Sequence, residues 1–185
     1  MNSHFASAFV NEDGQVLDLV NRKNLTSGMA PTAAQMPRSV GLALASKLFR
    51  HSDVLKSYNH LSQNGSEVCF ATIGDASTSE VHFWETINAA AVQQIPLAVF
   101  VWDDGYGISV PKKYQTTKGS ISEALKGFQK KDGTNGIEIY KVKAWDYAGM
   151  CEVFEAGIEK IRQTHTPALF HVEEVTQPQG HSTSG

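Results

Sequence analysis

The stretch from Val68 to Pro111, VCFATIGDASTSEVHFWETINAAAVQQIPLAVFVWDDGYGISVP, constrains the chain most, because two apolar runs of strand length flank a run with helical period. Val68 to Ile73 is long enough for a buried strand and stops at Gly74. Phe83, Trp84, Ile87, Ala90 and Ala91 then recur on one helical face, and Pro96 marks its end. Leu97 to Val101 is a second strand-like run, broken at Trp102-Asp103-Asp104-Gly105-Tyr106-Gly107. Strand, helix, strand is a βαβ unit, which makes the strands parallel and puts their carboxyl ends on one rim, where open α/β sheets bind ligands. Asp75 and Asp104 are therefore expected on the same rim.

Two carboxylates suit a hard divalent cation, and the amides that open the helix near Ser77 to Glu80 suit an anion. A diphosphate bridged to magnesium satisfies both. A plainer reading stands beside it, in which Asp75 caps the following helix and Asp103-Asp104-Gly105 is an acidic turn.

Gly74-Asp75-Ala76-Ser77-Thr78-Ser79-Glu80 and Asp103-Asp104-Gly105-Tyr106-Gly107-Ile108-Ser109-Val110-Pro111 together resemble the thiamine-diphosphate-dependent E1 components of 2-oxoacid dehydrogenase complexes, in their alpha-type subunit or the alpha-like half of fused chains. The family pattern is Gly-Asp-Gly or Gly-Asp-Ala followed by Ser-Glu, then Asn-Asn-Gly-Tyr-Ala-Ile-Ser-Val-Pro. The resemblance implies a thiamine-diphosphate-binding fold, with Mg²⁺ held by side-chain oxygens of Asp75 and Asp104 and by the Tyr106 carbonyl. It also implies cofactor contacts from Gly74, Asp75, Ala76, Ser77, Asp104, Tyr106 and Ile108. The ending Gly180-His181-Ser182-Thr183-Ser184 is similar to the family's Gly-His-Ser-x-Ser loop, which makes His181 the candidate for a catalytic and diphosphate-contacting role. Ala33-Ala34-Gln35-Met36-Pro37-Arg38-Ser39-Val40-Gly41 is similar to a segment that lies beneath the cofactor, although Ala34 replaces a hydroxyl residue and a potassium site is not expected.

Two departures matter. Asp104 stands where the family usually has Asn, so the extra charge should tighten bare Mg²⁺ and repel diphosphate. Arginines usual in the family near this site are replaced by Gln177, Gln179 and Trp102, which leaves charge neutralisation to Mg²⁺, helix amides and His181.

In the family the cofactor carries out oxidative decarboxylation of a 2-oxoacid such as pyruvate or a branched-chain 2-oxoacid, with acyl transfer to the lipoyl domain of E2. A separate pyrimidine-binding domain, from a beta-type E1 subunit or half, completes the site. No such module is found here, so the chain is expected to be a single diphosphate-binding domain over residues 1–185, a fragment of a larger E1 chain, and inactive in decarboxylation without that partner. The alternative is a truncated, non-catalytic module of the same fold that acts only in assembly. A Ser/His/Asp hydrolase using Ser77 or Ser182 is disfavoured because no Gly-x-Ser-x-Gly elbow occurs.

The remaining sequence fits a three-layer αβα domain with a mainly parallel sheet. A helix is expected from about Arg38 to Arg50, and a short one capped by Ser120 runs to about Gln129. Ile137 to Val142 reads as a strand, and Asp146 caps a helix with Tyr147, Met150, Phe154, Ile158 and Ile161 on one face. Ala168 to Val175 is a last strand. With 185 residues and 41% hydrophobic content the chain can bury a real core. A net charge of −3 provides no basic field for nucleic acid, and no run is long enough for a membrane span. Cys69 and Cys151 have no metal-ligand spacing and are both expected in the core, which suits a reducing, cytoplasmic setting.

Overall fold

The computed structural model describes residues 10–21 and 23–176. Its strands are β1 (Cys69–Gly74), β2 (Leu97–Trp102), a two-residue hairpin pair β3 (Tyr106–Gly107) and β4 (Val110–Pro111), β5 (Glu138–Lys143) and β6 (Ala168–Glu173). The helices are α1 (Gln35–His51), α2 (Val81–Gln93), the single turn α3 (Ile121–Ala124) and α4 (Tyr147–Thr164). The main sheet has the order β1-β2-β6-β5 and every pairing in it is parallel. This is an α/β fold, as the alternation of elements predicts.

Position in the sheet explains the strand sequences. Strand β2 is central and buried from Leu97 to Val101, and β6 from Ala168 to Val172, so both are covered on two faces and read as continuous apolar runs. The outer strands β1 and β5 are only partly covered. On one face, Met36 and Ala43 of α1 and Phe83, Ile87 and Ala90 of α2 pack against Val99, Val101 and Leu169. On the other, α4 lays Phe154, Ile158 and Ile161 over Phe100, Phe170 and Tyr140. Phe100 and Phe170 stack at 4.7 Å between centroids, with Phe154 edge-on to both. Each large apolar side chain fully buried in this way contributes about 1.5–3 kcal/mol. The three layers are thus helix, sheet, helix.

The chain crosses from β1 to β2 in one direction and returns from β5 to β6 in the other, which puts α2 and α4 on opposite faces. The reversal makes the gap between the ends of β2 and β6 a topological switch point.

Local signals mostly match. Asp146 caps α4 by accepting from the Gly149 amide at 3.0 Å. Helix α1 starts at Gln35, before the expected Arg38; Pro37 lies in its first turn, where a missing N–H leaves no helical bond unmade. Ser120 has N-cap backbone geometry, but its hydroxyl makes no capping bond and sits 3.1 Å from Ser122 Oγ. Tyr147 is exposed, because the packed face of α4 begins at Val153 and its first turn overhangs the sheet. Cys151 is exposed on the same helix, contrary to the core position expected for it, whereas Cys69 is partly buried. No helix among the described residues is long and apolar enough to cross a membrane.

Candidate functional site

Three loops meet at the carboxyl ends of β1, β2 and β6. The Asp75 amide donates to the Trp102 carbonyl at 3.1 Å, which ties the loop after β1 to the end of β2. The Asp103 amide donates to Val172 O at 2.9 Å, and the Val175 amide donates back to Asp103 O at 3.0 Å, which ties the end of β2 to β6. A single rim therefore carries Asp75, Asp103 and Asp104, as the βαβ reading requires.

Asp75 is 4% exposed and stands at the start of a 3-10 turn, Ala76–Ser79, that intervenes before α2. No side-chain capping bond closes that turn, so the capping alternative does not account for this residue. The turn is held instead by Thr78, whose amide and hydroxyl both donate to the Asp75 carbonyl. The Asp75 Oδ2 atom is buried with no hydrogen-bond partner. Burial first, then the charges of Asp103 and Asp104 and a side-chain hydrogen bond with Asp104, push this carboxyl up to about 7, while the Ala76 amide offsets a little. Below that value the group keeps its proton in the folded chain.

Asp104 accepts from the Tyr106 amide at 3.0 Å, and Asp103 accepts from the Gly105 amide at 2.9 Å. The acidic-turn reading is thus correct as local structure. It does not explain why Asp104 also faces Asp75. Gly105 takes a φ of +84°, which frees the chain to reverse, and the Lys112 amide closes the loop on Gly105 O at 2.8 Å. A Cβ on Gly107 would lie 2.7 Å from the Cβ of Ala76, so the two rim loops touch at that point. Gly74 has an ordinary φ, and among the described residues nothing beyond its chain neighbours comes within 4 Å of where its Cβ would stand. Internal packing gives no reason for glycine there, whereas a ligand lying close to the backbone would.

Asp103 has a different environment from its neighbour. It is 2% exposed, and its Oδ2 accepts from Lys112 Nζ at 2.7 Å and lies 2.9 Å from His171 Nε2. Burial would raise its carboxyl, but the bonds from His171 and Lys112 outweigh it and hold the group below the ordinary carboxylate range. The other ring nitrogen of His171, Nδ1, is 2.9 Å from Ser122 Oγ. Ser, His and Asp are thereby in series. Ser122 and His171 are 2% and 0% exposed, so no substrate reaches this serine, and the order is that of a structural relay rather than a hydrolase.

Sequence reasoning missed His171, Lys112 and Ser122. A signal was available: His171 is a polar ring inside the apolar run Ala168 to Val172, and a buried imidazole needs partners. Among the expected contact residues, Ala76 and Ser77 lie in the 3-10 turn, while Tyr106 and Ile108 occupy the exposed hairpin, Ile108 with a φ of +58°. Of the amides expected to face an anion, those of Thr78 and Glu80 already donate within the turn. The Gln35 amide donates to Thr72 O at 2.9 Å, fastening α1 beneath β1. His181, Ser182, Gln177 and Gln179 lie outside the described residues.

A family model described as Dehydrogenase E1 component matches residues 3–184. The chain belongs to the dehydrogenase E1 component family. Among similar proteins, the 2-oxoisovalerate dehydrogenase subunit alpha of Bacillus subtilis (strain 168) is 27% identical over 124 residues, covering 65% of this chain and 33% of that one. The pyruvate dehydrogenase E1 component subunit alpha of Rickettsia bellii (strain RML369-C) is 24% identical over 157 residues, 85% of this chain and 41% of that one. An X-ray structure from Mycobacterium smegmatis, assigned as a thiamin diphosphate-dependent enzyme, superposes with a TM-score of 0.52 at 20% identity, covering 83% of this chain and 24% of that one. That likeness establishes the fold. This E1-family chain spans about a third to two fifths of the length of these two relatives.

Proposed function

We propose that the chain is the diphosphate-binding domain of an alpha-type 2-oxoacid dehydrogenase E1, holding Mg²⁺ and thiamine diphosphate on the rim at Asp75 and Asp104. The observation that carries this reading is the pair itself: a buried aspartate with an orphaned oxygen facing a second carboxylate across two loops in contact. A cation between them would satisfy Oδ2 and end the repulsion that burial makes costly. A magnesium ion there would take the two carboxylates, the Tyr106 carbonyl, and remaining oxygens from water and diphosphate. The donor set is all oxygen, as a hard cation requires.

The thiamine ring, when bound, supplies the carbanion and electron-sink chemistry that releases CO₂ from a 2-oxoacid. This chain's residues bind and orient. Asp75 and Asp104 would anchor the cation, the small residues Gly74, Ala76 and Ser77 would leave room for the diphosphate, and Ile108 in the hairpin would contact the cofactor. By its likeness to the family's Gly-His-Ser-x-Ser motif, His181 would contribute a proton-bearing ring. A beta-type subunit or pyrimidine-binding domain completes the cofactor site, and the lipoyl domain of E2 takes the acyl group from a pyruvate-like or branched-chain substrate. The cytoplasm is the proposed location.

Thermal unfolding with thiamine diphosphate plus Mg²⁺, against Mg²⁺ alone and against Asp75→Ala, tests the reading, because a ligand bound only by the folded state raises stability by mass action. Stabilisation that Asp75→Ala abolishes supports it. No stabilisation with or without a beta-type chain leaves the assembly module as the better account.

A further inference from the structure

The chain of buried groups Ser122, His171 and Asp103, with half-buried Lys112 at its end, has no part in cation or diphosphate binding as proposed, yet it lies directly behind that site. Every element of it is committed. His171 is fully buried in β6, in register with Val101 of β2 and Lys141 of β5, and both its ring nitrogens are engaged. Asp103 Oδ1 takes the Gly105 amide, while Oδ2 takes Lys112 and His171. With both oxygens engaged and 2% of its surface exposed, Asp103 has no capacity left for a ligand.

Its neighbour has the opposite fate. Asp103 is buried while Asp104, the next residue, is half-buried and faces Asp75, so pinning Asp103 from beneath fixes the backbone from which Asp104 projects. The same bonds hold Gly105 and Lys112, the two ends of the loop that presents Tyr106.

We infer that His171 is a positioning residue of the cation site, acting through Asp103 to aim the Asp104 carboxylate and the Tyr106 carbonyl at Asp75. Ser122 fixes the ring from the other side and so acts one step further back. The inference rests on the reading of Asp75 and Asp104 as a cation site. It adds a separate claim, that the accuracy of the site is set from β6 by a residue which never touches the ligand.

The test is the Mg²⁺ concentration giving half-maximal thermal stabilisation of the full chain at saturating thiamine diphosphate. Groups that orient a metal ligand typically change metal affinity by about 10–100-fold when removed. His171→Leu, apolar and of similar bulk, should raise that midpoint about tenfold or more. His171→Gln, whose amide can still donate to Asp103 Oδ2, should restore it to within about threefold, and Ser122→Ala should shift it by about threefold. A role confined to packing lowers the unfolding temperature of ligand-free and liganded protein alike and leaves the midpoint where it was. An unchanged midpoint in His171→Leu, or no rescue by Gln, overturns the inference. Where His171→Leu does not fold, Ser122→Ala decides, and an unshifted midpoint there counts against it. Failure of the unsubstituted chain to respond to Mg²⁺ and thiamine diphosphate would instead overturn the site reading itself, and the positioning role with it.

Discussion

Asp75→Asn should make the ligand-free protein more stable near neutral pH while destroying its proposed purpose. The Asp75 carboxyl has an ordinary value of 3.8 in the unfolded chain and is pushed up to about 7 in the fold by burial and by Asp103 and Asp104. Between those values the folded state keeps a proton that the unfolded state has released. Stability from this group is therefore complete at low pH, falls as pH rises through the window, and levels off above about 7. Three pKa units at about 1.4 kcal/mol each set a ceiling of about 4 kcal/mol, and partial relaxation around the charge leaves about 2–4 kcal/mol. Asparagine has the same shape, never ionises, and can donate to Asp104. In EDTA at about pH 8 the variant should exceed the parent by about 2–4 kcal/mol in urea unfolding, or roughly 5–15 °C in Tm for a chain of this size. At about pH 4.5 the gap should have shrunk to about a quarter of its size at pH 8, and it should close only below the ordinary value of 3.8. With Mg²⁺ and thiamine diphosphate the order should reverse. A variant no more stable than the parent at about pH 8, or a gap that persists on acidification, would refute the account of Asp75 as a strained carboxylate.

Asp104→Asn removes one charge facing Asp75, so it should raise ligand-free stability at about pH 8 by less than Asp75→Asn does, weaken binding of Mg²⁺ alone and ease entry of the diphosphate; calorimetric titration of each ligand separately measures both. Because Asp75 must lose its proton to hold a cation, Mg²⁺ affinity should climb up to about pH 7 and then flatten, a profile that isothermal titration across pH would reveal. Gly107→Ala would bring a methyl group against the Gln115 side-chain amide as well as the Cβ of Ala76 and should cost about 1–3 kcal/mol in urea unfolding, with Mg²⁺ affinity lowered as the two rim loops part. A thiol reagent should modify exposed Cys151 quickly and spare Cys69, whose thiol is pushed up to about 11 by burial, until the protein unfolds; two fast thiols would contradict the buried strand position.

Much of the fold was legible because periodicity and turn chemistry act locally. The runs at Val68 and Leu97 announced two parallel strands, and Pro96 with the Asp103-Asp104-Gly105 break marked where segments ended, but that the first of them is an outer, partly covered strand was not legible in its apolar run. Placing Asp75 and Asp104 on one rim followed from topology alone, since a βαβ unit admits little else. What periodicity could not supply was the partner of a buried group. His171 meets Asp103 and Ser122 from sequence distances that no local pattern spans: the pairing of β2 with β6 brings Asp103 to it, and the packing of α3 brings Ser122. Tyr147 and Cys151 were misread for a related reason: the helical face was right, but how far α4 overhangs the sheet depends on strand length and packing.

The three rim aspartates resolve into two kinds, and the distinction comes from the switch point. At the gap between β2 and β6 the chain presents two adjacent carboxylates, and the sheet can neutralise only the one that points inward. Asp103 receives Lys112, His171 and an amide, and is held ionised at low cost. Asp104 and Asp75 are left facing each other from separate loops, with one buried oxygen unmet. A surface built only for stability would have removed that conflict, as Asp75→Asn does. The chain instead gives a buried charge to the loop where Gly74 opens the backbone, and fixes the opposing carboxylate from behind through β6. Strain of this kind, held in place by a satisfied network beneath it, is what a preorganised cation site needs before its cation arrives.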